Sequence, residues 1–493
     1  MPAEFVVEEV PSAAALADAL GAEASPAYDE RRTWFDTFDG RLYDAGLLLE
    51  LHEHRRGTTL TLSTLDGKPL ARVPYDAGTV TAESLPEGEI RDRVSKPVGI
   101  RALLPGATVE GPVTELAVLD DLDKTVARIE VEGPLTAGDG ELPGRLRVEA
   151  LRGYAKAART TAADLAALDG VEKATEPQFR QVYAACGEDP AGFKSKLEPL
   201  DDRDQPAGAA YGVLLTRLLV ILRANLDGTL RQLDTEFLHD LRVSVRRARS
   251  LVKFAADALP DDRRGTLGTE LKWLGDATSA SRDLDVYLLG FDDLAAYVPE
   301  PETLEPFRKL LVRHRRQSHT GLNRSLRSAR FRRLTELWAT TTEGGTTPVG
   351  PLADTLIHKV WRRVEKRGDA ITDVSPAEAV HDLRKRCKEL RYLLEFFAGL
   401  YDAGQHAGII SELKNLQDNL GEFQDCESQR LLVLHYAEEL YESGVPVTTM
   451  LSMGRLEGRL EQRQAAARDE FADRWARFAR PRNRRRIEEL VHT

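Results

Sequence analysis

His239, Arg242, Arg246, Arg249 and Lys253 stand at offsets 0, 3, 7, 10 and 14 along one stretch of the chain. On an α-helix, at about 100° per residue, these offsets fall within an arc of roughly 80°. Leu241, Val245, Ala248 and Val252 take the opposite arc. Such a helix anchors its apolar side in a core and turns a cationic stripe outward. At about 1.5 Å per residue the stripe runs roughly 15 Å or more, a length that suits an extended polyanion better than a single phosphate. Arginine forks hold phosphate oxygens two at a time, and lysine adds a mobile point charge.

The same pattern returns 142 residues later. His239-Asp240-Leu241-Arg242 recurs as His381-Asp382-Leu383-Arg384, and the register holds without a gap: Arg246 falls on Lys388, Arg249 on Arg391, Leu251 on Leu393 and Phe254 on Phe396. Beyond it, Leu271-Lys272-x-Leu274-x-Asp276 returns as Leu413-Lys414-x-Leu416-x-Asp418, and upstream Arg217 falls on Lys359. A repeat of this length implies a recurring helical unit of at least three helices, and in all four. A lone basic stripe on an amphipathic helix is ordinarily a solvated face. Two stripes sharing His, Arg, Arg or Lys, and Arg at the same offsets favour a common ligand.

The acidic residues that follow, Asp276, Asp283 and Asp285 with Asp418, Asp425 and Glu427, have no His or Cys beside them. They read as salt-bridge partners that orient the arginines rather than as metal ligands. Ser375, Pro376 and Glu378 spell a capping box that places His381 in the second turn of its helix, near the positive end of the helix dipole. A histidine there would tighten anion binding as pH falls below about 6.5. The clusters Arg313 to Arg316 and Arg482 to Arg486 rank lower, as solvated charge.

The elements that must position these residues divide the chain. Residues 1–165 carry short β-prone runs such as Leu47 to Leu51, Thr58 to Leu65, Val126 to Val131 and Leu146 to Glu149, with helical stretches at Ala13 to Leu20 and Tyr154 to Leu168. Residues 166–205, rich in proline and aspartate, read as a linker with a short helix. Residues 206–493 show helical spacing over Tyr211 to Leu230, Phe237 to Leu259, Leu304 to Leu337 and Ser411 to Tyr441, in two repeats of about 206–345 and 348–485. The fold class is therefore an α+β multidomain chain, β-rich in front and all-helical behind.

Composition agrees with this division. The 493 residues carry a net charge of −12. Residues 1–200 hold 22 basic and 35 acidic side chains, while the rest is close to balanced with 46 and 45, so an anion-binding face belongs to the helical half. Three scattered cysteines suit neither a disulfide framework nor a zinc site. No apolar run of membrane-spanning length is expected, and the start, Met1 to Val10, is acidic where a signal peptide is basic. A cytoplasmic protein is expected, neither exported nor embedded.

The paired His-Asp-Leu-Arg and Leu-Lys-x-Leu-x-Asp helices resemble the CHAD domain over about residues 206–493. That resemblance implies two four-helix bundles related by a pseudo-twofold axis, with basic residues lining a groove or pore that binds inorganic polyphosphate. His239, Arg242, Arg246, Arg249, His381, Arg384, Lys388, Arg391, Lys272 and Lys414 would be its contacts, and Lys253, Arg217 and Lys359 extend the set by position. It also implies a binding module with no cofactor, association with polyphosphate granules, and no specific nucleic-acid or membrane partner. The stripes lack the interleaved aromatics that stack bases.

Trp34 to Leu47 resembles the second-strand region of a CYTH domain, the β-barrel or tunnel of the triphosphate tunnel metalloenzymes. The opening Glu-x-Glu-x-Lys by which that family holds metal and triphosphate is missing: Glu4, Glu8 and Glu9 occur without a lysine, and Leu49-Glu50-Leu51-His52-Glu53-His54 stands where arginines are usual. The front domain is expected to be a degenerate barrel with no catalytic residues. The rival expectation is a metal-dependent triphosphatase or polyphosphatase acting through it.

Overall fold

The computed structural model describes residues 3–76, 80–341 and 344–491. Met1 of the acidic opening, and the last two residues of the 206–493 region, lie outside them. The chain forms two units, Met1–Ser195 and Lys196–Thr493.

The first unit is built on an antiparallel sheet. Its main strands run in the order Val171–Lys173, Ala3–Val7, Gly144–Ala150, Thr125–Glu132, Leu104–Leu119, Tyr28–Asp36, Leu47–His54, Gly57–Thr64 and Pro69–Pro74. Among the described residues the two ends of this order do not pair, so the sheet does not close into a hydrogen-bonded barrel. Alternation decides what each face carries. Phe5, Val7, Leu146, Val148, Ile129 and Val131 pack beneath helices Ala13–Leu20 and Ala155–Ala166. Their neighbours Glu4, Arg145, Arg147, Glu130 and Glu132 point the other way, where Arg32 meets Glu132 at 2.6 Å and Arg147 meets Glu132 at 3.0 Å. Residues 166–205 are not a simple linker. Val171–Lys173 pairs with the first strand, and helix Gln178–Ala185 buries Phe179, Val182 and Tyr183 against the sheet. Pro177, which suggested a connection, instead stands at the start of this helix as its N-cap.

In the second unit the repeat is visible as geometry. Helices Ala207–Ala224, Thr235–Lys253, Asp261–Leu289 and Glu305–Leu326 are followed by Val349–Gly368, Ala377–Phe396, Ala403–Glu442 and Val447–Phe478, each start lying 142 residues after its counterpart. Backbone hydrogen bonds mark the pseudo-twofold relation directly. The Ala207 N–H donates to the Thr347 carbonyl at 2.8 Å, and its equivalent, Val349, donates to Gln205 at 3.0 Å. Gly208 to Gly345 and Gly350 to Arg203, both 2.9 Å, form a second reciprocal pair.

The two repeats are not separate bundles. Leu214, Leu218, Leu241, Val245 and Leu271 of the first share one core with Leu383, Leu390, Leu394, Leu413 and Leu416 of the second. A second apolar cluster joins Leu284, Tyr287, Phe307 and Leu311 to Val433, Tyr436, Leu456 and Leu460. Among the described residues, one helical stretch, Ala207–Arg231, is long and apolar enough to cross a membrane, with a mean hydropathy of 1.5 over its best window. This corrects the reading that no such run exists. Its Leu214, Leu215, Leu218, Leu219 and Leu222 supply the shared core, which is why a helix inside a packed protein reaches that hydropathy.

Candidate functional site

Helices Thr235–Lys253 and Ala377–Phe396, the first and second histidine helices, pack against each other within the second unit. Each buries the expected apolar side: Leu241, Val245 and Ala248 in the first, Leu383, Cys387 and Leu390 in the second. The first is capped by Asp234, whose carboxylate accepts the Glu236 and Phe237 N–H groups at 2.8 and 3.2 Å. The expected capping box at the second does not form. Pro376 is the N-cap, and the Ser375 hydroxyl, one residue too early, accepts the Thr372 N–H at 2.9 Å instead.

The structure sorts the stripe residues by what holds them. Arg242 is half-buried and pinned to the long helix Asp261–Leu289, donating to the Gly275 carbonyl at 3.1 Å, the Thr278 hydroxyl at 2.7 Å and the Ser279 hydroxyl at 3.1 Å. Its equivalent, Arg384, meets Asp425 at 3.4 Å. Arg246 is exposed and reaches across to the second histidine helix, donating from Nε to the Tyr392 hydroxyl at 2.6 Å. Lys388 lies half-buried between the repeats. Burial, with Arg384 of its own helix and Arg246 of the other, pushes its pKa down to about 8. The Arg246–Tyr392 hydrogen bond, one turn from Lys388, brings the two stripes beside each other.

Arg249 is exposed. Among the described residues no carboxylate lies within ion-pair distance of it or of Arg246. Arg391, the equivalent of Arg249, is held by Glu395 at 2.7 Å and by Gln417 at 3.3 Å. Lys253 pairs with Glu389 of the other repeat at 2.5 Å and lies over the Phe254 ring. Lys272 pairs with Asp276 at 3.3 Å, and Lys414 is exposed. Arg217 and Lys359 sit on the first helix of each repeat, half-buried and exposed respectively.

Of the two histidines, His381 is held by a polar neighbour. His381 Nδ1 is 2.5 Å from the Gln424 Oε1, so this nitrogen carries the proton and donates. Burial and the nearby Arg282 lower the pKa of His239, opposed by Glu236 and Asp240. Its change of charge therefore falls below the pH of about 6.5 expected for a free histidine. Of the acidic residues, Asp285 and Asp425 pair with arginines and Asp276 with Lys272, whereas Glu427 accepts from the Gln424 amide. Asp285 takes Arg315 at 2.5 Å, and Asp283 faces Arg242 and Arg282. Asp425 keeps 65% of its side-chain surface, yet the protein crowding it raises its pKa against the pull of Arg384 and Lys388.

Sequence reasoning missed Arg247, Tyr392, Glu389, Glu395 and Gln424, which link or orient the stripes. The signal was present: positions 247 and 389, and 253 and 395, are equivalent in the repeat yet opposite in charge.

Residues 213–434, which include both histidine helices, match the CHAD domain family. The chain carries a CHAD domain. Uncharacterized protein Rv2226 of Mycobacterium tuberculosis is 31% identical over 217 residues, covering 41% of this chain and 41% of that protein; MT2285 of a second strain of the organism matches to the same extent. The chain thus spans about two fifths of the length of the curated relatives it matches. Among solved structures, the CHAD domain from the plant Ricinus communis is 23% identical with a TM-score of 0.49, covering 57% of this chain and 96% of that one. PptA from Streptomyces chartreusis is 18% identical with a TM-score of 0.44, covering 55% and 99%. HpAC1 from Hippeastrum, described as having a dominant triphosphatase activity, is 15% identical with a TM-score of 0.27, covering 38% and 97%.

Proposed function

We propose that the CHAD domain binds inorganic polyphosphate along the face where the two histidine helices meet, in the cytoplasm and at polyphosphate granules. The observation that carries this reading is the meeting of the two stripes: Arg246 of the first repeat reaches Tyr392 on the second histidine helix, one turn from Lys388. Cations this close destabilise one another, and a polyanion relieves the repulsion while gaining charge-assisted hydrogen bonds. Arg249 adds a cation with no carboxylate to displace. Arg242 and His381, already bonded to protein groups, line and orient more than they grip.

Calorimetric titration with long-chain polyphosphate tests this. Replacing Arg246 and Lys388 together by alanine is expected to weaken binding about 30-fold or more and to flatten the salt dependence by about two charges. RNA at equal phosphate concentration is expected to compete poorly. Absence of wild-type binding, or its easy displacement by RNA, sinks the reading.

We also propose that the sheet unit, read as a degenerate CYTH-like domain, does not hydrolyse triphosphates. A divalent metal would need carboxylates with oxygens to spare. Glu4 instead takes Arg145 and Arg147, Glu30 takes His52 at 2.7 Å, and Glu132 takes Arg32, Arg147 and Gln178. Although burial opposes ionisation of Glu132, Arg147 and Arg32 hold its pKa down to about 2. These three carboxylates are engaged by the protein's own side chains, and Arg145, Arg147 and Arg32 are paired with carboxylates in turn. Release of phosphate from triphosphate above background with Mg or Mn would overturn this.

A further inference from the structure

Two ion pairs cross between the histidine helices. Arg247 Nη2 lies 2.8 Å from Glu395, and Lys253 Nζ lies 2.5 Å from Glu389. Position 247 in the first repeat is equivalent to 389 in the second, and 253 to 395. The pseudo-twofold relation therefore carries one pair onto the other with cation and anion exchanged: both cations come from the first repeat and both anions from the second. Three of the four side chains keep less than a quarter of their surface in water, and Lys253 keeps 45%, so these are partly desolvated contacts in which a mismatch is costly. The second helix also holds its own carboxylates ready. Arg386 grips Glu389 at 2.7 Å, and Arg391 grips Glu395 at the same distance.

A twofold contact between identical surfaces must be self-complementary. Here neither copy is. Two first-repeat helices brought together in this geometry would set Arg247 against Lys253, and two second-repeat helices would set Glu389 against Glu395. We propose that the crossed pairs are a pairing code: the first histidine helix accepts only a second histidine helix as its partner. The code favours the contact within one chain over association of like repeats from different chains, and it fixes the register in which the basic stripes stand side by side. Specificity arises from the repulsion built into the wrong pairings as much as from the attraction in the right one. It holds whatever the stripes bind.

A charge-reversal cycle in the full chain tests it. E389K/E395K leaves only cations across the contact, R247E/K253E leaves only anions, and the quadruple variant restores opposite charges with the signs exchanged. Each double variant is expected to lower the midpoint of chemical denaturation. The quadruple variant is expected to recover at least half of the summed loss, and the recovery should shrink in high salt. If a double variant does not fold, folding of the quadruple variant is itself the expected rescue. Double variants as stable as the wild type, or a quadruple variant no better than the sum of its parts, would overturn the proposal. Polyphosphate titration of the wild type stands apart from this result, so the two readings can fail separately.

Discussion

Leu241 and Leu383 hold the same place in the two histidine helices, and both are fully buried in the shared core. Six residues beyond them the charge reverses, with Arg247 on one helix and Glu389 on the other, and six further on Lys253 stands against Glu395. The difference carries through to the stripes. Glu395 holds Arg391, whereas Lys253 at the matching position leaves Arg249 without a carboxylate. A repeat thus keeps its apolar side because two copies must build one core, while its polar side diverges where the copies meet. At one equivalent position the first copy brings Arg249 without a carboxylate, and the second brings Arg391 already balanced by Glu395.

The sharpest way to break this comparison is through the side the copies share. Leu241→Ala and Leu383→Ala are each expected to cost about 2–5 kcal/mol of stability and to agree within about 1 kcal/mol. Denaturant unfolding measures both, and a large disparity would mean that the core is not equivalent in the two halves. On the divergent side, Arg249→Ala is expected to weaken polyphosphate binding about tenfold and Arg391→Ala only about threefold, since Arg391 must first leave Glu395. Equal losses in calorimetry would remove the asymmetry.

The smallest effect is that of pH. Lys388 has its pKa lowered to about 8 by burial and by Arg384 and Arg246, and a bound polyanion raises it. Affinity is therefore expected to fall as pH rises through about 8, with protons taken up on binding near that pH. In the ligand-free protein the sign is opposite: the folded state holds this proton less tightly than the unfolded chain, so the contribution of Lys388 to stability grows as pH rises from about 8 toward its ordinary value of about 10.4. Titrations in buffers of different ionisation enthalpy at pH 7 and 9 report the uptake, and a Lys388→Met variant should lose it.

Much of the helical unit is legible in the sequence because the repeat supplies two readings of each position. The starts at Ala207 and Val349, or Asp261 and Ala403, share the offset that the His-Asp-Leu-Arg motif announces. The stripes are legible for the same reason. What escapes is whatever depends on packing between copies: the fusion of the cores, and the roles of Arg247 and Glu389. The sheet unit is harder because its signals conflict. Strand Leu104–Leu119 contains Pro105, Gly106, Gly111 and Pro112, which read as turns. In the structure a side chain at Gly106 would strike the Tyr183 hydroxyl, and one at Gly111 the Pro134 carbonyl. These glycines make room for neighbours without ending the strand. Ser375 misleads in the opposite way, spelling a cap one residue before the helix that Pro376 begins.

The uneven sharing of carboxylates between Arg249 and Arg391 gives the contact between the histidine helices a direction that its backbone lacks. The scaffold looks nearly the same after half a turn, but the pairing of its charges does not. A chain of identical phosphates has no head or tail, so this asymmetry does not select which way round it lies. A polymer with chemically different ends would be read by the same surface in one orientation only.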